Sequence, residues 1–269
     1  MIKKIKSLVQ KVFPPVLYGK LYTWLMPIFY DVEMIFCQIR YFFRFERLDY
    51  LNIPIIINNY NRFSFLVRLI NSLEKRGYHN IIIIDNNSTY PPLLDFYKTC
   101  KYEVILLHKN VGYKSIWETG IYDRFKHSYY VYTDSDMEID EDCPNDFMEK
   151  FVMLLNRHVF CQKVGFGIRI DDLPECYKFK KDVIRFESPY WFKKAEEGVF
   201  YAPIDTTFAL YRPYTGQQVN HLRKTLRTGF PYVIRHLPWY LDSDNMNSEE
   251  KYYVNSIQQS TEWSKKNKK

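Results

Sequence analysis

The chain has 269 residues, 46% hydrophobic and 26% charged, which is ordinary globular usage and excludes wholesale disorder and fibrous repeats. A net charge of +7 favours an anionic partner, a phosphate-bearing substrate or an acidic membrane, and the 24 Tyr and 20 Phe suit interfacial or sugar-stacking surfaces as well as an AT-rich coding sequence. The five cysteines are widely spaced, odd in number and without a Cys-x-x-Cys pair. That argues against a disulfide framework or structural zinc and for a reducing, cytoplasmic setting.

Residues 1–50 form an aromatic, partly basic segment. Lys11, Pro14, Pro15 and Lys20 interrupt any signal-peptide core, and the uncharged run Leu21–Tyr30 is too short to span a bilayer. Leu21, Trp24, Leu25, Ile28 and Phe29 have helical spacing behind Lys3, Lys4, Lys6 and Lys11. Such a helix suits the headgroup layer of the cytoplasmic membrane face, or else packs on its own domain or a partner.

From Ile53 the pattern alternates. Ile53–Asn58 reads as a buried strand ending in Asn58-Asn-Tyr-Asn-Arg62, and Phe65, Leu66, Leu69, Ile70 and Leu73 mark a helix closed by Gly77. Ile81–Ile84 is a β-branched strand ending in Asp85-Asn-Asn-Ser-Thr89. A helix at Leu93–Lys101 and a strand at Glu103–Leu107 lead to Asn110-Val-Gly112. A helix over Ser115–Phe125 precedes the strand Tyr129–Thr133. Strand–helix alternation of this kind predicts an α/β fold, a mostly parallel Rossmann-like sheet with helices on both faces. The polar clusters fall at carboxyl ends of strands, where such sheets bind ligands. Beyond Asp140 the pattern is irregular. Strands are expected at Val164–Ile170, Val183–Phe186, Val199–Tyr201, Phe208–Tyr211 and Tyr232–Arg235, with helices at Asp146–Asn156 and near Gln217–Arg227. The organisation expected is 1–50, 51–140, 141–245, and a C-terminal helix and basic tail at 246–269.

Asp134-Ser-Asp136 directly follows a strand. Two close carboxylates repel and are costly to desolvate unless a hard cation joins them, and such cations keep positions for substrate phosphate. A second triplet, Asp242-Ser-Asp244, follows no strand and reads as a solvated turn before the C-terminal helix.

Taken in order, Ile53–Arg62, Asp85–Thr89, Asn110–Gly112 and Asp134–Asp136 resemble the nucleotide-sugar half of GT-A glycosyltransferases, most of all the inverting family 2. Ala202-Pro-Ile-Asp-Thr-Thr207 and His236-Leu-Pro-Trp-Tyr240 extend a weaker likeness to bacterial and viral sugar transferases. The Glu-Asp pair and Gln-x-x-Arg-Trp of processive synthases are missing. The resemblance implies a non-processive hexosyltransferase that moves one sugar from a UDP-, GDP- or dTDP-sugar to a saccharide or lipid-linked acceptor, as in polysaccharide biosynthesis, with inversion and Mn²⁺ or Mg²⁺. It places Asp85 on the base, Asn59 and Arg62 beside base and diphosphate, Asn110 and Gly112 near the ribose, Asp134 on ribose and metal, and Asp136 on metal, with His236 as third ligand or a histidine packed beside Trp239. Trp117 either underlies the ribose or packs in the core. A base must deprotonate the acceptor hydroxyl; Asp205 is the candidate, ahead of Asp171, Asp172 and Glu187. The competing expectations are a sugar nucleotidyltransferase, against which the glycine-free Asn58–Arg62 loop counts, and a silent nucleotide- or glycan-binding module. Nucleic acid is not an expected partner.

Overall fold

A computed structural model of the chain describes residues 28, 31–43, 48–216 and 225–257. The amphipathic spacing at residues 21–29 lies outside the described residues except for Ile28, as does the tail beyond Trp263. A helix at 31–42, α1, buries Met34 and Cys37 and exposes Val32, Ile35, Phe36, Ile39 and Phe42. No described helix is long and apolar enough to cross a membrane.

Four strands, β1 (Ile55–Asn59), β2 (Ile81–Asp85), β3 (Glu103–Leu106) and β4 (Tyr130–Asp134), lie parallel in the order β3-β2-β1-β4. Isoleucine runs form β1 and β2 because stiff, β-branched side chains pack well on a sheet covered on both faces. Alternation divides them between two cores. Ile55 and Ile57 enter the larger core with Leu66, Leu69 and Leu73 of α2 (Ser64–Glu74), while Ile56 joins Ile82, Ile84, Tyr130 and Tyr132 on the other side. The parallel register sets Asn59 beside Asp85 and Asn58 beside Asp134. Three strand ends thereby bring their polar residues to one rim.

The sheet continues through β9 (Ala209–Tyr211), β6 (Lys163–Ile168), β10 (Thr225–His236), β8 (Val199–Tyr201) and β7 (Lys194–Glu196), with β5 (Met137–Ile139) also on β10. β9 runs antiparallel between β4 and β6, whereas β6 and β10 are parallel. Gly165 and Gly167 are required in β6, because a side chain would strike the carbonyls of Phe208 and Thr228.

Several expectations are corrected. Val183–Phe186 belongs to a helix (Lys180–Glu187), not a strand, since Val183 and Glu187 are buried one turn apart. Of the helix expected at Gln217–Arg227, Thr225–Arg227 instead opens β10, held on both sides by β6 and β8, and 217–224 lies outside the described residues. Ser115–Phe125 is two short helices, Ser115–Glu118 and Tyr122–Phe125, parted at Gly120 with its φ of 78°. Tyr232–Arg235 is the end of the longer β10, and β5 and β7 have no counterpart in the expected elements. None of the five cysteines forms a disulfide among the described residues. As expected, Asp242–Asp244 forms a turn, Asp244 N–H donating to Asp242 Oδ1 at 2.9 Å, ahead of helix Ser248–Ser256, here α3.

Candidate active site

The rim of β1, β2 and β4 is a polar network. Asn59 donates to the Tyr97 hydroxyl at 2.8 Å and accepts from Ser135 at 2.6 Å. Asp85 accepts from Ser88 N–H at 2.8 Å and from the Tyr97 hydroxyl at 2.9 Å, so both its oxygens are engaged. The two residues that the resemblance places on the base are thus turned inward and fix the loops after β1 and β2. Asn86 bridges outward: it donates to Asn58 Oδ1 at 2.5 Å and to Gly112 O at 3.2 Å and accepts from Val111 N–H at 3.1 Å. Asn110 accepts from Gly112 N–H at 2.8 Å, and Gly112 has φ of 79°, a left-handed turn suited to glycine. Asn110 and Gly112 therefore form one loop against the rim. Trp117 packs at 4.8 Å from Tyr132 and 5.6 Å from Tyr211, ring to ring, within the smaller core.

Asp134 sits at the tip of β4. Its Oδ2 accepts from Thr206 Oγ1 at 2.5 Å and its Oδ1 from Asn58 Nδ2 at 3.4 Å, while its N–H donates to Thr206 O at 2.9 Å. Burial, and then the neighbouring Asp136, push its pKa well above the usual carboxylate range. A cation relieves both penalties.

The distant histidine arrives through sheet pairing. β5 begins one residue after Asp136, and its antiparallel register sets His236 opposite Met137. Leu237 N–H then donates to Asp136 O at 2.9 Å, and His236 Nε2 stands 3.6 Å from Asp136 Oδ2. Burial lowers the His236 pKa despite the opposing pull of Asp136, favouring the neutral imidazole that ligates metals. The ring also lies 4.6 Å from Trp239, so ligand-like placement and packing coexist. Asp136 Oδ1 and His236 Nδ1 are buried with no hydrogen-bond partner. An orphaned carboxylate oxygen and an orphaned imidazole nitrogen, beside a second carboxylate, are a mixed donor set that fits Mn²⁺ better than Mg²⁺. Among the described residues, however, no three such side chains already converge, because Asp134 is turned onto Thr206 and Asn58.

Asp205 lies in the irregular stretch before β9, exposed between the buried Ile204 and Thr206. Its neighbour Thr206 holds Asp134, which brings the loop to the β4 tip. Lys163 Nζ donates to Ile204 O at 2.7 Å, Asp205 O at 3.3 Å and Tyr211 Oη at 3.2 Å, pinning that loop from below. The other carboxylates weighed for the base are paired: Asp171 with Arg169 at 3.0 Å, Asp172 with Arg235 at 2.7 Å and Tyr240 at 2.5 Å, and Glu187 with Arg227 at 2.5 Å.

Arg62 meets residues of α3, not only the rim. Glu250 accepts from both its terminal nitrogens, and the Tyr253 ring centroid lies 3.4 Å from its guanidinium carbon. Sequence reasoning missed Glu250, Tyr253, Thr206 and Asn86. Asn247 caps α3, its Oδ1 accepting from Glu250 N–H at 2.8 Å, but no local signal in the sequence announces that the helix returns to β1.

The family model described as Glycosyl transferase family 2 matches residues 55–209, more than half of the chain. No curated protein sequence matches. Among solved structures, S. aureus TarS overlaps at 16% identity over 47% of this chain and 24% of that one, with a TM-score of 0.34. Its segment 1–349 in complex with UDP overlaps at 10% identity over 79% and 68%, TM-score 0.41. GalNAc-T7 with UDP, GalNAc and Mn²⁺ overlaps at 16% identity over 69% and 43%, TM-score 0.44. This chain thus spans about a quarter of that full TarS chain. The structural overlaps are low, and the family assignment rests on the sequence match.

Proposed function

We propose, since this chain belongs to glycosyl transferase family 2, that it transfers a single hexose from a nucleoside-diphosphate sugar to an acceptor hydroxyl, with inversion. The observation that carries this reading is Asp136 beside His236 at the carboxyl end of β4, each with an orphaned polar atom, two residues after Asp134, whose pKa burial raises. Asp136 and His236, joined by Asp134, are the residues to hold Mn²⁺ or Mg²⁺. The ion supplies Lewis-acid stabilisation of the charge that grows on the departing diphosphate. Arg62 offers a charge-assisted fork to the same diphosphate. The loop at Asn110–Gly112 lines the ribose side, and Asp85 and Asn59 hold the base-side loops in shape. Asp205, exposed beside this centre, takes the acceptor hydroxyl's proton as the bond to the anomeric carbon forms.

In this reading residues 51–140 bind the donor and 141–245 the acceptor, in the cytoplasm. The acceptor is a saccharide or lipid-linked glycan. Exposed Val32, Ile35, Phe36, Ile39 and Phe42 on α1, with the basic N-terminus, suit a peripheral contact with an acidic bilayer.

The test is donor turnover. Incubated with UDP-, GDP- and dTDP-sugars and Mn²⁺, the protein releases nucleoside diphosphate from one of them, and Asp136→Ala lowers that rate about a hundredfold or more. Pyrophosphate formation from a nucleoside triphosphate would replace this function with nucleotidyl transfer. Metal-dependent binding without turnover of any donor would replace it with a binding module.

A further inference from the structure

The C-terminal helix α3 reaches the donor rim, yet nothing about its packing resembles a core helix. Of its nine residues only Glu249 is buried. Its attachments are polar or aromatic. Glu249 accepts from Phe63 and Ser64 N–H at 2.8 and 3.0 Å, Ser256 accepts from Tyr60 and Asn61 at 2.9 Å each, and Tyr252 donates to Thr89 O at 3.0 Å. Elements held this way, without a buried apolar face, open at low cost.

The strongest attachment is also the one in conflict with donor binding. Arg62 is buried and Glu250 half-buried, their side chains 6% and 12% exposed, and Tyr253 stacks on the guanidinium. A diphosphate and the Glu250 carboxylate both accept in bidentate fashion from a guanidinium's planar fork, and one guanidinium cannot satisfy the two at full strength. Arg62 Nε, buried and without a hydrogen-bond partner, is the donor left over for a newcomer. Tyr253, whose pKa burial pushes up to about 12, also feels the charges of Asp136 and Asp134. Asn61, at a φ of 51°, anchors the loop that presents Arg62: it donates to Ser256 and accepts from Thr89 and Tyr90 N–H. Movement of α3 is therefore felt directly at the loop.

We propose that Glu250 is a positioning residue that holds Arg62 in reserve, and that the donor's diphosphate exchanges for Glu250 on Arg62 and releases α3 from the rim. This rests on the donor-binding function proposed above. The free protein then binds donor only from the fraction in which Glu250 has let go. Apparent affinity is reduced by that fraction, so a state populated one time in ten costs about tenfold.

The experiment combines calorimetric titration of the full chain with UDP, GDP and dTDP, with and without Mn²⁺, and amide exchange across Ser248–Ser256. For the nucleotide that binds, Glu250→Gln binds about three- to tenfold tighter than wild type, and Arg62→Lys binds weaker. Wild-type residues 248–256 exchange faster once that nucleotide is bound. A fall in kcat alone, with affinity unmoved, would assign Glu250 another role. Nucleotide binding with unchanged affinity in Glu250→Gln, or with unchanged or greater protection of α3, overturns the exchange while leaving the transferase standing. Should Glu250→Gln not fold, the wild-type exchange measurement decides alone. No binding of any of the three nucleotides overturns both.

Discussion

The two halves of the sheet reach the same rim by different means. Between β1 and β4 the rim residues sit at the ends of three strands, and parallel register alone aligns Asn58, Asn59, Asp85 and Asp134. These groups largely satisfy one another: Asn59, Asp85, Asn86 and Ser135 are buried and bonded. Beyond Asp140 the chain contributes by return visits. His236 arrives through the β5–β10 pairing, Thr206 through the loop before β9, and Glu250 and Tyr253 through α3. The groups with unsatisfied or exchangeable partners, Asp136, His236 and Arg62, lie where the two halves meet. The first half builds a bonded rim that leaves Asp136 and Arg62 open, and the second brings the partners that stand against them.

Asp205→Asn tests that division hardest. If the second half supplies the base, kcat falls about a hundred- to ten-thousandfold while nucleotide affinity and melting temperature stay near wild type, because Asp205 is exposed. An unchanged kcat, measured by nucleoside diphosphate release with acceptor present, would move the chemistry elsewhere.

The second half also carries its own structural cost. Arg227 and Glu187, 6% and 3% exposed, form a buried ion pair, and Arg227 Nε donates to Pro203 O at 2.7 Å behind the Asp205 loop. Breaking one side of such a pair leaves a buried charge unmatched. Glu187→Gln is expected to lower unfolding free energy by about 3–5 kcal/mol, read by denaturant titration. A change within about 0.5 kcal/mol would show that the pair is not a structural support of this half.

The same contrast explains what the sequence made visible. Isoleucine runs followed at once by Asn or Asp, and a Tyr-Val-Tyr-Thr run followed by Asp-Ser-Asp, mark the strand tips without any knowledge of the fold, so β1, β2 and β4 and their rim residues were legible. His236 was set beside Asp136 by the resemblance and not by the local pattern, because that contact depends on an antiparallel register between strands about a hundred residues apart, a spacing that local periodicity does not encode. Val183–Phe186 misled for a related reason. Its β-branched residues favour a strand locally, yet Glu187 must reach Arg227, and tertiary pairing overrode propensity. Glu250 and Tyr253 carried no signal at all: two acids and two tyrosines on a helix look like a solvated face.

A smaller effect concerns the first half. Gly112 adopts a φ of 79°, and a β-carbon there is expected to cost about 1–2 kcal/mol of strain. Gly112→Ala therefore weakens nucleotide binding by loosening the Asn110 loop from Asn86, with kcat at saturating donor little changed. A fall in kcat with affinity intact would place this loop with the chemistry and blur the boundary between the halves.

The smallest expected effect concerns pH, and it belongs to the second half. Burial lowers the Lys163 pKa to about 7 from an ordinary 10.5, although Asp205 opposes the shift. In the unfolded chain the amine regains its ordinary pKa. Between about pH 7 and 10.5 the unfolded state therefore binds the extra proton, and stability contributed at this site rises with pH across that window. At and below pH 7 the desolvation penalty is carried in full, since both states are then protonated. Lys163→Met loses the bonds to Ile204 O, Asp205 O and Tyr211 Oη at every pH, but it also loses the titration. Melting temperatures of the two proteins should diverge from pH 7 to pH 9, wild type gaining on the variant. Parallel curves would mean that Lys163 keeps its proton in the folded protein, and that an ammonium and not a neutral amine lies under the Asp205 loop.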